Sequence, residues 1–565
     1  MSENDKWAWF SEDDPVPALF RPEPSTSRTE AGSLHLDVVA PDAAKTPASS
    51  AALGKAVALH LEGKTAAALK ELSAAIEAGD NSSELYSAMG HIQFELQQFE
   101  EASKSYGKAA QADPKHKTAS YNLGVCKERV ERWQEAAAAF QTALDIDAKR
   151  IEARLGLGVC LLHAGLAEKA LDAFDQCLKA KSDLEPAQFG KAVALHLLGK
   201  TAEADALYRK LLARNPNSEE LLGNLIALAM TRKDAAAVKE FSERLFKTLP
   251  SAPAALEGLV SIAFSKGDFE TAARHCAKLV ESAPHSFEGW FNWGVALQEL
   301  GKTDQAVKAY TQAVKIRPDS GMAHANLGAM LQGQGDLAGA GKEHERALQL
   351  SPDLPAAIWN LALVSERRGE NEDAEGLYSR LIKKHPEWED AWFRLGYLKL
   401  QRNDYPGSVE AFESCLKRRG EWVDAHMNLG LAYWKQGNAP AARKSFEKAL
   451  AVDPKSLDAL RGLAALAMER QDFEQAFDMQ SKLIELGERS PELYYNTGLL
   501  LQKSGMLEDA VKHYRQALME KPNIAEALLN LGHALKSLGQ DDEARTCWRK
   551  ALESNPELAA SYFSS

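Results

Sequence analysis

Basic residues, cysteines and long apolar runs are all scarce here, and each scarcity removes a class of function. Lys and Arg number 67 against 80 Asp and Glu, for a formal net charge of −13. That balance repels phosphate backbones, and no local Lys/Arg cluster of the kind that tracks nucleic acid interrupts it. The six cysteines, Cys126, Cys160, Cys177, Cys276, Cys415 and Cys547, show no CxxC or other metal-ligand spacing, so they read as structural thiols. Apolar residues make up 45% of the chain, yet no uninterrupted run approaches the roughly 18 residues of a membrane-spanning helix. The opening "MSENDKWAWFSEDD" begins with acids where a secretory leader needs bases and then an apolar stretch. A cytoplasmic protein without membrane insertion is expected. Walker, GxSxG and Rossmann signatures are missing too, so neither a cofactor nor a catalytic centre is expected.

Proline is sparse except at the start. Residues 1–48 hold six of the 22 prolines, nine acids against four bases, and a Ser/Thr/Ala stretch without helical period. They read as a disordered tail. Inside it, the string "WAWF" (Trp7 to Phe10) sets aromatics among acids, as a short motif that folds on a partner or occupies the protein's own binding face would.

The rest of the chain is filled by a repeat. "GKAVALHLEGKTA" at Gly54–Ala66 returns as "GKAVALHLLGKTA" at Gly190–Ala202, an offset of 136, which is four times 34. Stepping by 34 from Ser49 divides the chain into fifteen repeats ending at Leu558, without insertion or deletion, and leaves residues 559–565 as a short remnant. Each repeat carries two amphipathic helical patterns around a glycine-centred turn. Position 8 is Gly in nine repeats and position 20 is Ala in thirteen, so a bare glycine facing a methyl would let the two axes approach. Large residues recur at position 24, among them Tyr106, Phe140, Phe174, Tyr310, Phe412, Phe446, Tyr514 and Trp548, where they would fill the space between neighbouring pairs. Ten repeats place Pro at position 32, which stops the second helix.

This pattern resembles the tetratricopeptide repeat family: a bulky residue at 4 (Trp290, Trp392), Leu-Gly at 7 and 8 (Leu123-Gly124, Leu395-Gly396, Leu429-Gly430, Leu531-Gly532), Ala at 20, an aromatic at 24 and Pro at 32. The resemblance covers residues 49–558 and implies an all-α, right-handed superhelical solenoid whose first helices line a concave groove. One repeat cannot bury its apolar face alone, so its neighbours supply the core. Ile226 and Val260 at position 8, with Val238 at position 20, lead to the expectation of a changed pitch over residues 219–286. The short sequence after the last repeat leads to a second expectation, of apolar surface at the C-terminal end available for self-association.

Positions 2, 5, 6, 9 and 13 form one stripe of the first helix, apart from the packing stripe at 4, 7, 8 and 11. Position 6 is Asn in eight repeats: Asn122, Asn224, Asn292, Asn326, Asn360, Asn428, Asn496 and Asn530. An amide both donates and accepts, which suits the main chain of an extended peptide whatever its sequence; it equally suits a bond between adjacent helices. The ladder, with Asn292, Asn326 and Asn360 in succession, is similar to that in the repeat arm of protein O-linked N-acetylglucosamine transferases, where the similarity implies a grip on peptide backbones. Position 5 adds Tyr121, Phe189, Phe291, Trp359, Phe393 and Tyr495, either a binding row or a cover for the adjoining helix. Family members that clamp a terminal carboxylate use Lys at 5 and Asn at 9; neither occurs here, although Arg394 and Arg461 remain able to meet an acid. His60 and His196 share position 12, and His324 and His426 share position 4, so the repeat itself accounts for them. The expected function is a noncatalytic scaffold for proteins or extended peptides, with a substrate-presenting subunit of a separate enzyme, such as a glycosyltransferase, as the alternative.

Overall fold

The computed structural model describes residues 47–558, with side chains placed for 51–557. The expected tail and the C-terminal remnant lie outside the described residues, except that Pro47 and Ala48 already belong to a helix. Thirty α-helices follow one another from α1 (Pro47–Leu61) to α30 (Asp541–Ser554), and no strand occurs among the described residues. Two compact units divide the chain, Met1–Lys302 and Thr303–Ser565. The first ends with α15 (Phe287–Glu299) and the second begins with α16 (Thr303–Ile316).

Each repeat folds as a helical hairpin because its fifteenth residue takes a left-handed conformation. Ten of these residues are glycines, including Gly63, Gly335 and Gly437, which reach positive φ without a Cβ clash. Five are not: Gln97, Glu131, Lys233, Asn403 and Gln471 hold φ between 55° and 64°. A left-handed L-residue costs roughly 1–2 kcal/mol, partly offset by the entropy that glycine would lose. Gly at any of these five sites should therefore raise stability by up to about 1 kcal/mol, measurable as slower hydrogen exchange in the flanking helices. Polar residues after the turn cap several second helices; the Asp268 carboxylate, for instance, accepts from the Thr271 N–H at 3.0 Å.

Position 4 has a role that its bulk conceals. The Trp290 indole N–H donates to the Pro284 carbonyl at 2.8 Å, and Trp392 does the same to Pro386 at 2.9 Å. His426 Nε2 lies 2.8 Å from the Gly420 carbonyl, His324 Nε2 3.1 Å from that of Pro318, and Gln188 Nε2 2.7 Å from that of Ser182. Every acceptor sits six residues upstream, at position 32 of the preceding repeat. Trp, His and Gln share this place because each reaches back with an N–H to satisfy a turn carbonyl.

Glycine at position 8 meets a ring, not the expected methyl at position 20. A Cβ on Gly124 would stand 2.7 Å from the Phe140 ring, one on Gly158 2.7 Å from Phe174, and one on Gly430 2.4 Å from Phe446. The position 24 ring therefore packs inside its own hairpin and also reaches position 6 of the next: a Cβ on Gly462 would lie 2.9 Å from the same Phe446 ring. In the sixth and seventh repeats the volumes exchange places. Ile226 replaces the glycine, Ser242 replaces the ring, and a Cβ on Gly258 would meet both side chains, at 3.1 Å and 2.0 Å. All of them are buried. The bulk of Ile226 at position 8 is thus met by the small Ser242 and Gly258 on the neighbouring helices.

The last repeat closes on its own ring. The Trp548 ring folds onto Gly532, and no large apolar side chain of α29 (Ala525–Ser537) or α30 is among the exposed ones in the described residues. The N-terminal hairpin is different: Val57 and Leu61 of α1 are 46% and 81% exposed.

Candidate functional site

In several first helices the stripe read from the sequence keeps solvent access while the packing stripe is buried, whereas in the third repeat Thr118, Tyr121, Asn122 and Val125 of that stripe are buried too. In α27 (Pro491–Lys503), Tyr494, Thr497, Gly498 and Leu501 are buried, whereas Glu492 and Lys503 are exposed and Asn496 and Leu499 half-buried. The helix α19 (Pro355–Arg368) repeats this, with Ile358, Leu361, Ala362 and Ser365 buried, Ala356 and Arg367 exposed, and Asn360 half-buried.

The eight asparagines do not form one equivalent ladder. Asn122 and Asn224 are buried, and the other six are half-buried. Three of them face tyrosines. Asn326 Nδ2 donates to the Tyr310 hydroxyl at 3.4 Å, Asn530 Nδ2 donates to that of Tyr495 at 3.1 Å, and the Asn122 amide approaches that of Tyr106. Asn428 Nδ2 turns back to the Asp424 carbonyl at 2.9 Å. The side chains of Asn224, Asn292, Asn360 and Asn496 make no hydrogen bond among the described residues, and of these Asn292, Asn360 and Asn496 keep solvent access. Asn292 belongs to the first compact unit, Asn326 and Asn360 to the second.

The residue at position 24 varies with the residue at position 6 of the next repeat. Position 24 is Tyr in five repeats (Tyr106, Tyr208, Tyr310, Tyr378, Tyr514), and sixteen residues later stands a polar side chain each time: Asn122, Asn224, Asn326, Arg394, Asn530. Where position 24 is Phe140, Phe174 or Phe446, the same place is Gly156, Gly190 or Gly462. Of the tyrosine hydroxyls, that of Tyr310 accepts from the residue sixteen places on, whereas those of Tyr378 and Tyr514 donate to Glu366 and Gln502, and that of Tyr208 has no partner among the described residues. Phe412 is followed by Asn428 and not by glycine. Asn360 and Asn496 follow His344 and Gln480 and so have no tyrosine to serve.

The aromatic row at position 5 packs on the rings at position 24. Centroids lie 5.7 Å apart for Tyr121 and Phe140, 6.1 Å for Phe189 and Tyr208, 5.5 Å for Trp359 and Tyr378, 5.7 Å for Phe393 and Phe412, and 6.0 Å for Tyr495 and Tyr514. Several carry a further cover from the next turn: the Arg150 guanidinium over Tyr121, Trp388 stacked on Trp359 and Trp422 stacked on Phe393. Tyr121 is buried, and Phe189, Phe291, Trp359, Phe393 and Tyr495 are half-buried. The exposed aromatic of the stripe is Tyr397, at position 9, which a reading focused on position 5 passes over. Its neighbour Arg394 is exposed and lies 3.7 Å from Glu366, which accepts the Tyr378 hydroxyl at 2.5 Å. Arg461 is engaged by Asp458 at 2.7 Å and Glu488 at 3.0 Å.

Burial governs the titratable groups. All six cysteines are buried, and desolvation pushes the thiols of Cys126 up to about 12 and Cys177 to about 11. His344, fully buried at position 24, is lowered to about 4 by the same cause. No group of His, Cys, Asp and Glu suited to a metal ion occurs among the described residues, and no described helix is long and apolar enough to cross a membrane.

Comparison with known proteins follows the same register. Family models of the tetratricopeptide repeat match residues 87–151, 227–287 and 427–491, residues 129–194 and 331–395, residues 186–218, residues 287–320 and 525–558, and residues 491–524, which together exceed half of the chain. Similar solved structures include the APC/C hetero-tetramer Cut9-Hcn1, at 14% identity over 80% of this chain and 96% of that one, with a TM-score of 0.32. MamA is 26% identical over 31% of this chain and 95% of its own, with a TM-score of 0.28. YrrB, described as a TPR protein with an unusual peptide-binding site, is 18% identical over 34% of this chain and 98% of its own, with a TM-score of 0.32. The curated proteins give no match.

Proposed function

We propose that this chain, which belongs to the tetratricopeptide repeat family and has its all-α superhelical repeat fold, is a noncatalytic scaffold that holds extended segments of partner proteins along the open stripe of its first helices. The family and its repeated hairpins support protein interaction; the stripe supports the finer reading. One observation carries it: Asn360 and Asn496 sit half-buried on that stripe with amides that no other described group engages. A partner's peptide group supplies both halves of the missing pairing, a carbonyl for Nδ2 and an N–H for Oδ1. Such recognition reads the main chain and leaves sequence preference to neighbours such as Tyr397 and Arg394. Asn326 and Asn530, whose amides bond tyrosine hydroxyls, act in the framework.

The test is affinity capture with mass spectrometry, comparing wild type, Asn360→Ala/Asn496→Ala and Asn326→Ala/Asn530→Ala, with circular dichroism to confirm that each variant is folded. At a net 0.5–1.5 kcal/mol per hydrogen bond, loss of the first pair should lower partner recovery by about tenfold, and loss of the second should leave it near wild type. Partners that persist through the first pair, or disappear only with the second, would refute this assignment.

A further inference from the structure

The string that the chain carries twice is covered in one copy and bare in the other. In the fifth repeat Gly190, Val193 and Ala194 are buried beneath the preceding hairpin. The Phe174 ring stands 2.4 Å from where a Cβ on Gly190 would lie, and Lys191 Nζ donates to the next residue, Asp175, at 2.6 Å. The first repeat presents the same letters on α1, where Gly54, Val57, Ala58 and Leu61 share one face by their 3–4 spacing. Here Val57 and Leu61 are exposed, and a Cβ on Gly54 would meet nothing within 4 Å. Lys55 is 63% exposed where Lys191 is 28% exposed, and it pairs instead with Glu71 of its own hairpin.

The covered copy defines what the bare one lacks: a ring over the glycine, an acid close behind it for the lysine, and apolar contact along the valine. Residues 1–46 precede α1 directly and carry "WAWFSEDD" from Trp7 to Asp14, three rings followed within two residues by three acids. The tether holds that string at an effective concentration no free partner easily matches. The last hairpin of a second copy fits less well, because Trp548 is followed by Arg549, a base that would face Lys55. We infer that Trp7–Asp14 seats on the α1 face of its own chain, with a ring over Gly54 and its acids toward Lys55, and so caps the first repeat.

The full chain carrying a benzophenone-bearing phenylalanine analogue in place of Phe10 tests this by photo-cross-linking. The expected product is an intramolecular link to residues 54–61, lost in Gly54→Trp, where the added ring enters open space and fills the seat. In parallel, Trp7→Ser/Trp9→Ser/Phe10→Ser should speed hydrogen exchange of the α1 amides by about tenfold, since an uncovered terminal helix opens locally. Links to other first helices, links to a second copy, no link at all, or unchanged exchange in α1 would each overturn the inference.

Discussion

Phe446→Ala should cost about 3–5 kcal/mol in the hairpins around it, the range for removing a buried aromatic ring. The ring lies between two glycines of successive first helices, 2.4 Å from the Cβ place of Gly430 and 2.9 Å from that of Gly462, and only 2% of the residue is exposed. Because stability in a repeat array is a sum of local and nearest-neighbour parts, the loss should concentrate in α23 (Val423–Lys435) through α26 (Phe473–Glu485). Hydrogen exchange resolved by helix reads it directly; equal exchange across all helices would contradict a local role. The converse change, Gly430→Val, forces a branched side chain into the ring and should cost about 1–3 kcal/mol. The double variant Gly430→Val/Phe446→Cys recreates the pair Val260 and Cys276 of the seventh repeat. It should cost less than the two single effects added together, as residues in contact couple.

His344 makes the ninth repeat sensitive to acid. It occupies the ring position over Gly328, is fully buried, and neither ring nitrogen has a hydrogen-bond partner. Burial lowers it from 6.5 to about 4, so the folded state holds it neutral where the unfolded chain would bind a proton. The stability tied to that neutrality is present above pH 6.5 and is lost as pH falls toward 4. At about 1.4 kcal/mol per unit, the whole window amounts to about 3 kcal/mol. His344→Phe, which restores the side chain used by four other repeats, should remove this part of the acid sensitivity in α17 (Gly321–Gln334) and α18 (Leu337–Leu350). Hydrogen exchange of those helices at pH 7 and pH 4.5, compared between wild type and variant, measures it; parallel pH dependence in the two proteins would show that His344 does not titrate with folding.

Much of the architecture was legible because a strict 34-residue period assigns every residue a place. The hairpins and the turn follow from spacing alone. Periodicity does not say which positions meet across the hairpin, so Gly124 was matched to a methyl at position 20 when the Phe140 ring was its partner. It also ranks residues by size when chemistry decides: Trp392 and His426 look like bulk at position 4, yet both serve as N–H donors to a turn carbonyl. The amides of position 6 differ among themselves for the same reason. Eight identical letters at position 6 conceal that Asn326 answers the hydroxyl of Tyr310 while Asn360 answers none. The residue sixteen places upstream does not decide it: Asn224 follows Tyr208 without bonding it, and Asn530 bonds Tyr495 instead of Tyr514.

The reading of Asn360 as a main-chain receptor can be measured with a peptide from a captured partner in which single amides are replaced by esters, each removing one N–H donor. For one ester position, affinity for the wild type should fall about 2- to 12-fold, the value of a single net hydrogen bond, while affinity for Asn360→Ala should not respond to the same replacement. An equal loss in both proteins at every position would mean that Asn360 does not hold the partner's backbone.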